Sequence, residues 1–203
     1  LLIKDILDSN PHGVYLFTRP RRFGKTTNLS MLDAFFNIEY KGNNWFDGLA
    51  ISDYPEYERY KNAFPVIKLN LKETKSKTYG SFVNKMKTAV CHVYEDYEYL
   101  TKSDLFDKRI KEKYSKTLTR DVDEDLLLDS IPTLCKMLKR YHGVNPIVLI
   151  DEYDRAVSDS FGEESHRKIM DYLGSFLSPI LKNNDNVQMA YVTGVMQIAK
   201  ESI

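Results

Sequence analysis

Two short segments of the sequence carry side chains of the types that bind phosphate and a divalent metal ion. The first is TRPRRFGKTT at 18–27, which ends in a Gly-Lys-Thr-Thr run after several basic residues. In the pattern G-x-x-x-x-G-K-[ST], the lysine reaches phosphate oxygens, the next hydroxyl holds Mg²⁺, and the glycines permit backbone shapes that a Cβ would block. The segment matches the end of that pattern. The residues expected to contact a nucleotide are Arg22, Phe23, Gly24, Lys25, Thr26 and Thr27.

The loop departs from this pattern at its first position. Arg19 stands where the first glycine is expected, and Pro20 follows it. That glycine shapes the turn and gives no side-chain contact, so its replacement changes the shape of the loop more than its charge. We therefore expect negative φ angles at the start of the loop. The alternative is an ordinary solvated basic turn in which the Gly-Lys-Thr triplet is accidental.

The second segment is IVLIDEYDRA at 147–156, in which four apolar residues precede Asp151 and Glu152. Ligands of open α/β sheets bind at the carboxyl ends of the strands. We expect Asp151 to hold Mg²⁺ through water opposite Thr26, and Glu152 to polarise the water that attacks a terminal phosphate. An alternative is that the two acids form the N-cap and first turn of the next helix. The presence of both segments in one chain favours binding of a nucleotide with Mg²⁺.

A third candidate residue lies near the end of the chain. The segment YVTGV at 191–195 places Thr193 at the end of an apolar run. A hydroxyl at the end of a strand suits contact with a terminal phosphate or with the attacking water, so we expect Thr193 to act in catalysis with Lys25 and Glu152. The alternative is a β-branched residue that ends a strand and has no catalytic role.

The hydrophobic periodicity predicts the elements that position these side chains. Strand patterns cover 13–18, 64–72, 145–151 and 186–195, and helix patterns cover 26–40, 78–98, 123–141 and 163–182. A charged piece rich in helix formers covers 103–118. Strands that alternate with helices predict an α/β fold with a mostly parallel sheet. We expect one domain over 1–203 with a helical insertion at about 78–142. Pro132 predicts either a kink in its helix or a helix start near Ser130.

Composition limits the classes of partner and location. The chain has 203 residues, and 29 Lys and Arg balance 29 Asp and Glu, so charge gives no indication of a nucleic-acid or membrane partner. Without a long apolar run or a leader sequence, we expect a cytoplasmic protein. Cys91 and Cys135 lie in apolar segments, which favours buried reduced thiols over a disulfide. The start at Leu1 and the end in AKESI suggest a piece cut from a longer protein.

Five segments in this order carry a resemblance to a known family: FTRPRRFGKTTNLSML, FDGLAI, FPVIKLNL, VLIDEYDRA and VTGVMQIAKESI. In them the chain resembles the predicted AAA-ATPase-like family of bacterial and archaeal proteins, whose loop reads Thr-Arg-Pro-Arg-Arg-Phe-Gly-Lys-[Ser/Thr]. Arg19 is then the normal residue of the family. The resemblance implies a P-loop NTPase three-layer αβα sandwich with strand order 5-1-4-3-2, and ATP and Mg²⁺ as ligands. In longer members it implies a C-terminal domain similar to PD-(D/E)XK nucleases, which this chain lacks.

These observations predict Mg-dependent ATP binding and hydrolysis to ADP and phosphate, coupled to an unknown output. A homo-oligomer or a C-terminal effector domain of the full-length protein would be the partner. An interaction module gated by the nucleotide, with little or no hydrolysis, is the alternative from another class. A small-molecule P-loop kinase is disfavoured by the glutamate after Asp151, and a helicase would need a second motor domain. Arg21 and Arg22 could approach the phosphates or face a neighbouring subunit, and Arg155 and Lys200 are weaker candidates for a charge supplied across a subunit contact. Each of these is more often a surface residue, and we leave them out of catalysis.

Overall fold

A parallel sheet forms the centre of the computed structural model, which describes residues 2–182 and 184–196. Its strands are β1 (Val14–Thr18), β2 (Val66–Asn70), β3 (Ile147–Asp151) and β4 (Met189–Gly194). They lie in the order β1-β4-β3-β2, and every neighbouring pair is parallel. The predicted α/β class with a parallel sheet is confirmed. All strands end at the same edge, where the polar residues of the sequence motifs follow them.

The predicted strand order 5-1-4-3-2 is not matched, because the described residues form four strands. These four follow the 1-4-3-2 part of that order. A fifth strand beside β1 would need chain beyond β4, and only Val195 and Met196 are described after Gly194. β1 is therefore an edge of the described sheet, and its Val14 and Leu16 are 50% and 43% exposed.

Helices cover both faces of this sheet. They are α1 (Leu2–Ser9), α2 (Lys25–Phe36), α3 (Tyr57–Tyr60), α4 (Tyr79–Glu95), α5 (Lys108–Leu118), α6 (Glu124–Leu128), α7 (Ser130–His142), α8 (Arg155–Asp159) and α9 (His166–Leu181). Successive strand residues point to opposite faces. Ile147 and Leu149 of β3 accordingly join the core formed with α1 and α2, whereas Val148 and Ile150 join the core formed with α4, α7 and α9. The sheet thus separates two apolar cores.

The burial of β3 follows from its place in the sheet. It pairs with β2 on one side and β4 on the other, and all five of its residues are buried. An uninterrupted apolar run is what such a strand requires, because both of its faces lie against helices. β3 ends at Asp151, so the first polar side chain of the segment emerges at the carboxyl edge of the sheet.

The structure fixes the helix starts in two segments whose boundaries the sequence left open. The pattern at 103–118 becomes a helix only from Lys108, where the Asp107 side chain accepts a hydrogen bond from the Ile110 amide at 2.9 Å. The pattern at 123–141 is divided into α6 and α7. The second of these starts at Ser130, so Pro132 lies in its first turn, where an N–H has no partner within the helix. That the helical segment is an insertion in a single domain stays a prediction.

Candidate phosphate and metal site

The loop between β1 and α2 has the geometry of a turn that delivers a strand to a helix N-terminus. Its start is attached to the sheet, because the Arg19 amide donates to the Gly194 carbonyl at 3.1 Å. Its left-handed residues are Arg22, with φ of 68°, and Gly24, with φ of 72°. Arg19 is not among the residues with positive φ, so the predicted negative φ at this position is confirmed. The turn that glycine makes in the usual pattern is thus replaced by a turn nearer the helix.

Lys25 occupies the inside of this loop. Its side chain is buried, and Nζ donates to the carbonyl oxygens of Arg19 at 2.8 Å and Pro20 at 2.9 Å. An ammonium group has three donors, so one remains for another acceptor. The two carbonyls converge on the ammonium, which explains how the loop can begin with Arg and Pro and still close around the lysine.

The N-terminus of α2 opens toward the same space. Gly24 is the N-cap residue and provides no side-chain hydrogen bond to the helix. The first N–H groups of a helix have no partner within the helix, and the helix dipole adds partial positive charge there. Phe23, Thr26 and Thr27 are exposed at this end, as are Arg21 and Arg22. Backbone donors at the helix start and basic side chains in the adjoining loop therefore make this end of α2 suitable for an anion.

Asp151, at the end of β3, contacts one residue from each of two other elements, α2 and β4. Its Oδ2 accepts a hydrogen bond from Thr26 Oγ1 at 2.8 Å, and its Oδ1 accepts one from Thr193 Oγ1 at 2.5 Å. Asp151 is 7% exposed and Thr193 is fully buried. Three residues that the sequence singled out separately are in direct contact, although 125 positions separate Thr26 from Asp151. The carboxylate has a hydroxyl donor on each oxygen.

The donor set of this cluster suits magnesium. Carboxylate and hydroxyl oxygens are hard ligands, and Mg²⁺ is commonly held by one or two protein groups together with phosphates and water. Within residues 2–182 and 184–196, no group of three His, Cys, Asp or Glu side chains is arranged to hold a metal by itself. Thr26 and Asp151 are therefore the residues that would hold Mg²⁺ jointly with a phosphate.

Glu152 directly follows β3 and has a strained backbone conformation. Its φ is 54°, which non-glycine residues rarely adopt. The carbonyl before it, of Asp151, accepts from the Leu71 amide at 3.0 Å, and the amide after it, of Tyr153, donates to the Thr193 carbonyl at 3.1 Å. The next helix starts only at Arg155. The alternative in which Asp151 and Glu152 form the cap and first turn of that helix is therefore wrong.

Sequence reasoning missed a cleft beside the cluster. It has a volume of 240 Å³ and lies between α2 and the ends of β2 and β3. Its polar lining includes Asp33, Lys68 and Asn70, as well as Thr26 and Asp151. Polar residues at alternate positions of β2 were a signal for it, because alternate residues of a strand share a face. Lys68 Nζ lies 3.1 Å from Asp33 Oδ2.

The Lys68 ammonium stays charged in this cleft. Burial lowers its pKa, but the hydrogen bond and the charge of Asp33 outweigh that effect and raise the pKa above its ordinary value.

The sequence also contains Arg155 and Lys200 as possible sources of positive charge. Arg155 is half-buried and its Nε has no hydrogen-bond partner among the described residues, whereas Lys200 lies outside the described residues.

A comparison with models of protein families identifies the family of this chain. A family model described as a predicted AAA-ATPase matches residues 1–203. The chain belongs to this family. No curated protein and no solved structure matches the chain. The resemblance to this family that the sequence indicated is confirmed, and the description of the family implies use of a nucleotide. No helix in the described part of the chain is long and apolar enough to cross a membrane.

Proposed function

We propose that this chain is a P-loop ATPase core that binds ATP with Mg²⁺ and hydrolyses it to ADP and phosphate. The observation that carries the proposal is the contact of one buried carboxylate, Asp151, with hydroxyls of both Thr26 and Thr193. If the Gly-Lys-Thr triplet were an accident in a solvated basic turn, its threonine would not be expected to bond to a buried carboxylate at the end of another strand. Coupling to a second copy or to a C-terminal effector domain stays a prediction from the sequence.

The phosphate-binding role falls on the loop and the start of α2. The first N–H groups of α2, which follow Gly24, and the third donor of Lys25 both favour negative charge at this end of the helix. Arg22, Phe23 and Thr27 are exposed beside this helix start, where they are available to a bound nucleotide. Thr26 and Asp151 would hold Mg²⁺, which when bound neutralises charge that develops on the phosphate oxygens.

The roles in hydrolysis fall on Glu152 and Thr193. Glu152 follows the metal-binding carboxylate directly, so its side chain can accept a proton from a water molecule that approaches the terminal phosphate. Thr193 is fully buried and donates to Asp151, which orients that carboxylate. Because preformed groups need no rearrangement during the reaction, this arrangement favours stabilisation of the transition state.

The test is calorimetric ATP binding with Mg²⁺, followed by measurement of phosphate release. We expect Lys25→Ala to weaken ATP binding about 10- to 100-fold, since charge-assisted hydrogen bonds contribute about 1.5–3 kcal/mol. We expect Glu152→Gln to keep its affinity and lose about 100-fold or more in rate. Lys4→Ala and Glu164→Gln change exposed residues of the same types and serve as matched controls. Unchanged ATP affinity in Lys25→Ala would show that the loop does not bind phosphate.

The cleft beside Asp151 favours a second candidate, transfer of phosphate to an acceptor other than water. Its lining includes the Lys68 ammonium, which pairs with Asp33, and the exposed Asn70 side chain, whose amide can bind such an acceptor. Transfer of labelled phosphate from ATP to a small molecule, with little release to water, would support this kinase. Tight ATP binding with neither transfer nor release would instead indicate an interaction module gated by the nucleotide.

A further inference from the structure

The two residues after Glu152 hold the chain that leaves β4. Tyr153 Oη donates to the Met196 carbonyl at 2.8 Å. Asp154 Oδ2 accepts hydrogen bonds from the amides of Val195 at 2.9 Å and Met196 at 2.7 Å. We call Tyr153, Asp154 and these three hydrogen bonds the β4 clamp. These three hydrogen bonds join the turn after β3 to the chain after β4, and none of the three involves the loop or α2.

The clamp is tightly packed and buried. Asp154 is 2% exposed, and a buried carboxylate is costly unless its oxygens accept hydrogen bonds, which the two amides supply. A Cβ on Gly194 would lie 2.5 Å from the ring of Tyr153 and 2.8 Å from Asp154 Oδ1. Only glycine permits this close approach of β4 to the turn after β3. The contact is therefore a specific fit between two segments.

The clamp acts on the residue whose conformation is strained. A non-glycine residue with φ of 54° persists only when its surroundings fix it. The peptides on both sides of Glu152 bond to Leu71 and Thr193, and the clamp immobilises the next two residues against the end of β4. Release of the clamp would let the turn relax to negative φ, and this would redirect the Glu152 side chain.

We propose that Asp154, with the help of Tyr153, is a positioning residue that fixes the Glu152 carboxylate relative to Asp151 and Thr193. The inference rests on the proposed ATPase function, because the reaction that Glu152 serves is that one. Asp154 touches neither Thr26 nor Lys25 through its described hydrogen bonds, so its loss alters the step after binding. It follows that the clamp controls the rate of hydrolysis and leaves the affinity for ATP almost unchanged.

The main test compares kcat and ATP affinity in four variants. We expect Asp154→Ala to lower kcat about 10- to 100-fold, with the Kd of ATP and Mg²⁺ within about threefold of the wild type. Asp154→Asn should recover most of the rate, because an amide oxygen can accept the same two hydrogen bonds. Tyr153→Phe removes one bond of the clamp and should fall between these two. Asp159→Asn changes an exposed carboxylate on α8 and is the matched control.

Hydrogen exchange tests the clamp without nucleotide. We expect the amides of Val195 and Met196 to exchange faster in Asp154→Ala than in the wild type, with Asp154→Asn close to the wild type. Equal exchange in wild type and Asp154→Ala would overturn the inference. So would an Asp154→Ala variant that hydrolyses ATP at the wild-type rate, or one whose rate, affinity and thermal stability fall together without rescue by Asn. If the wild type fails to bind ATP, the proposed function fails, and the exchange result still decides whether the clamp exists.

Discussion

Replacement of Thr193 by valine removes one hydroxyl and keeps the branched shape of the side chain. Thr193 is fully buried, and its Oγ1 lies 2.5 Å from Asp151 Oδ1. In Thr193→Val this oxygen loses its donor inside the protein, where water has little access because the position of the lost hydroxyl is fully buried. A lost hydrogen bond to a buried charged group costs about 1.5–3 kcal/mol. For a chain of this size that loss corresponds to a decrease in Tm of about 3–12 °C.

Thr26→Val is the matched control for this prediction. Thr26 donates to the other oxygen of the same carboxylate at 2.8 Å, but Thr26 itself is exposed. Water can replace an exposed donor, so we expect Thr26→Val to lower the free energy of unfolding by less than about 1 kcal/mol. Each variant removes one hydroxyl donor from one oxygen of Asp151. The difference between their free energies of unfolding therefore measures the effect of burial of the lost hydroxyl.

The assay is urea unfolding followed by far-UV circular dichroism, without nucleotide or metal. Trp45 is the chain's single tryptophan and is 57% exposed, so its fluorescence is a poor probe of the core. The expected order of stability is wild type, then Thr26→Val, then Thr193→Val, with similar m-values. Equal losses in the two variants, or a Thr193→Val value within about 0.5 kcal/mol of the wild type, would refute the reasoning from burial.

Three further predictions concern the pH range, the thiols and β4. Burial lowers the pKa of the His142 imidazole, so the unfolded chain binds the proton first as pH falls below about 6.5. Stability should therefore decrease between pH 7 and 5, by at most about 1.4 kcal/mol per pH unit for this proton, and urea unfolding of His142→Gln should show a shallower decrease. Burial raises the pKa of Cys135 to about 12 and that of Cys91 above its usual value, so a disulfide reagent at pH 8 should modify both thiols only after unfolding. Gly194→Ala should lower the free energy of unfolding by about 1–3 kcal/mol in urea, because its Cβ would lie 2.5 Å from a tyrosine ring, whereas Gly80→Ala has open space and should not.

The secondary structure near the site was largely predictable because it depends on local patterns. The apolar run before Asp151 predicts a buried strand, and the structure has β3 there with all residues buried. Cys91 and Cys135 are free and buried, as their apolar surroundings indicate. Helix starts were less predictable. Asp107 precedes a start that the apolar pattern alone did not place, because a capping hydrogen bond decides it. The start at Ser130, in contrast, is one of the two alternatives that Pro132 predicted.

The residue types at the site were also evident from local sequence, but their mutual contacts were not. Gly24, Lys25 and Thr26 indicate phosphate chemistry through their spacing alone. The sequence did not reveal Asp154 or the cleft near Lys68, because these depend on which segments meet at the carboxyl edge of the sheet. The strand order likewise depends on pairing between distant segments, and the expected five strands proved to be four in the described residues.

Thus the sequence by itself determined the four strands and the approximate positions of the five longest helices, and the side chains that emerge at the ends of the strands. Only the tertiary structure decided that Thr193 and Thr26 share the carboxylate of Asp151, and that Glu152 adopts a φ of 54°. The physical reason is the range of the interactions. Periodicity and turn propensity act over a few residues, whereas a hydrogen bond on a buried carboxylate forms only after distant strands have paired and excluded water.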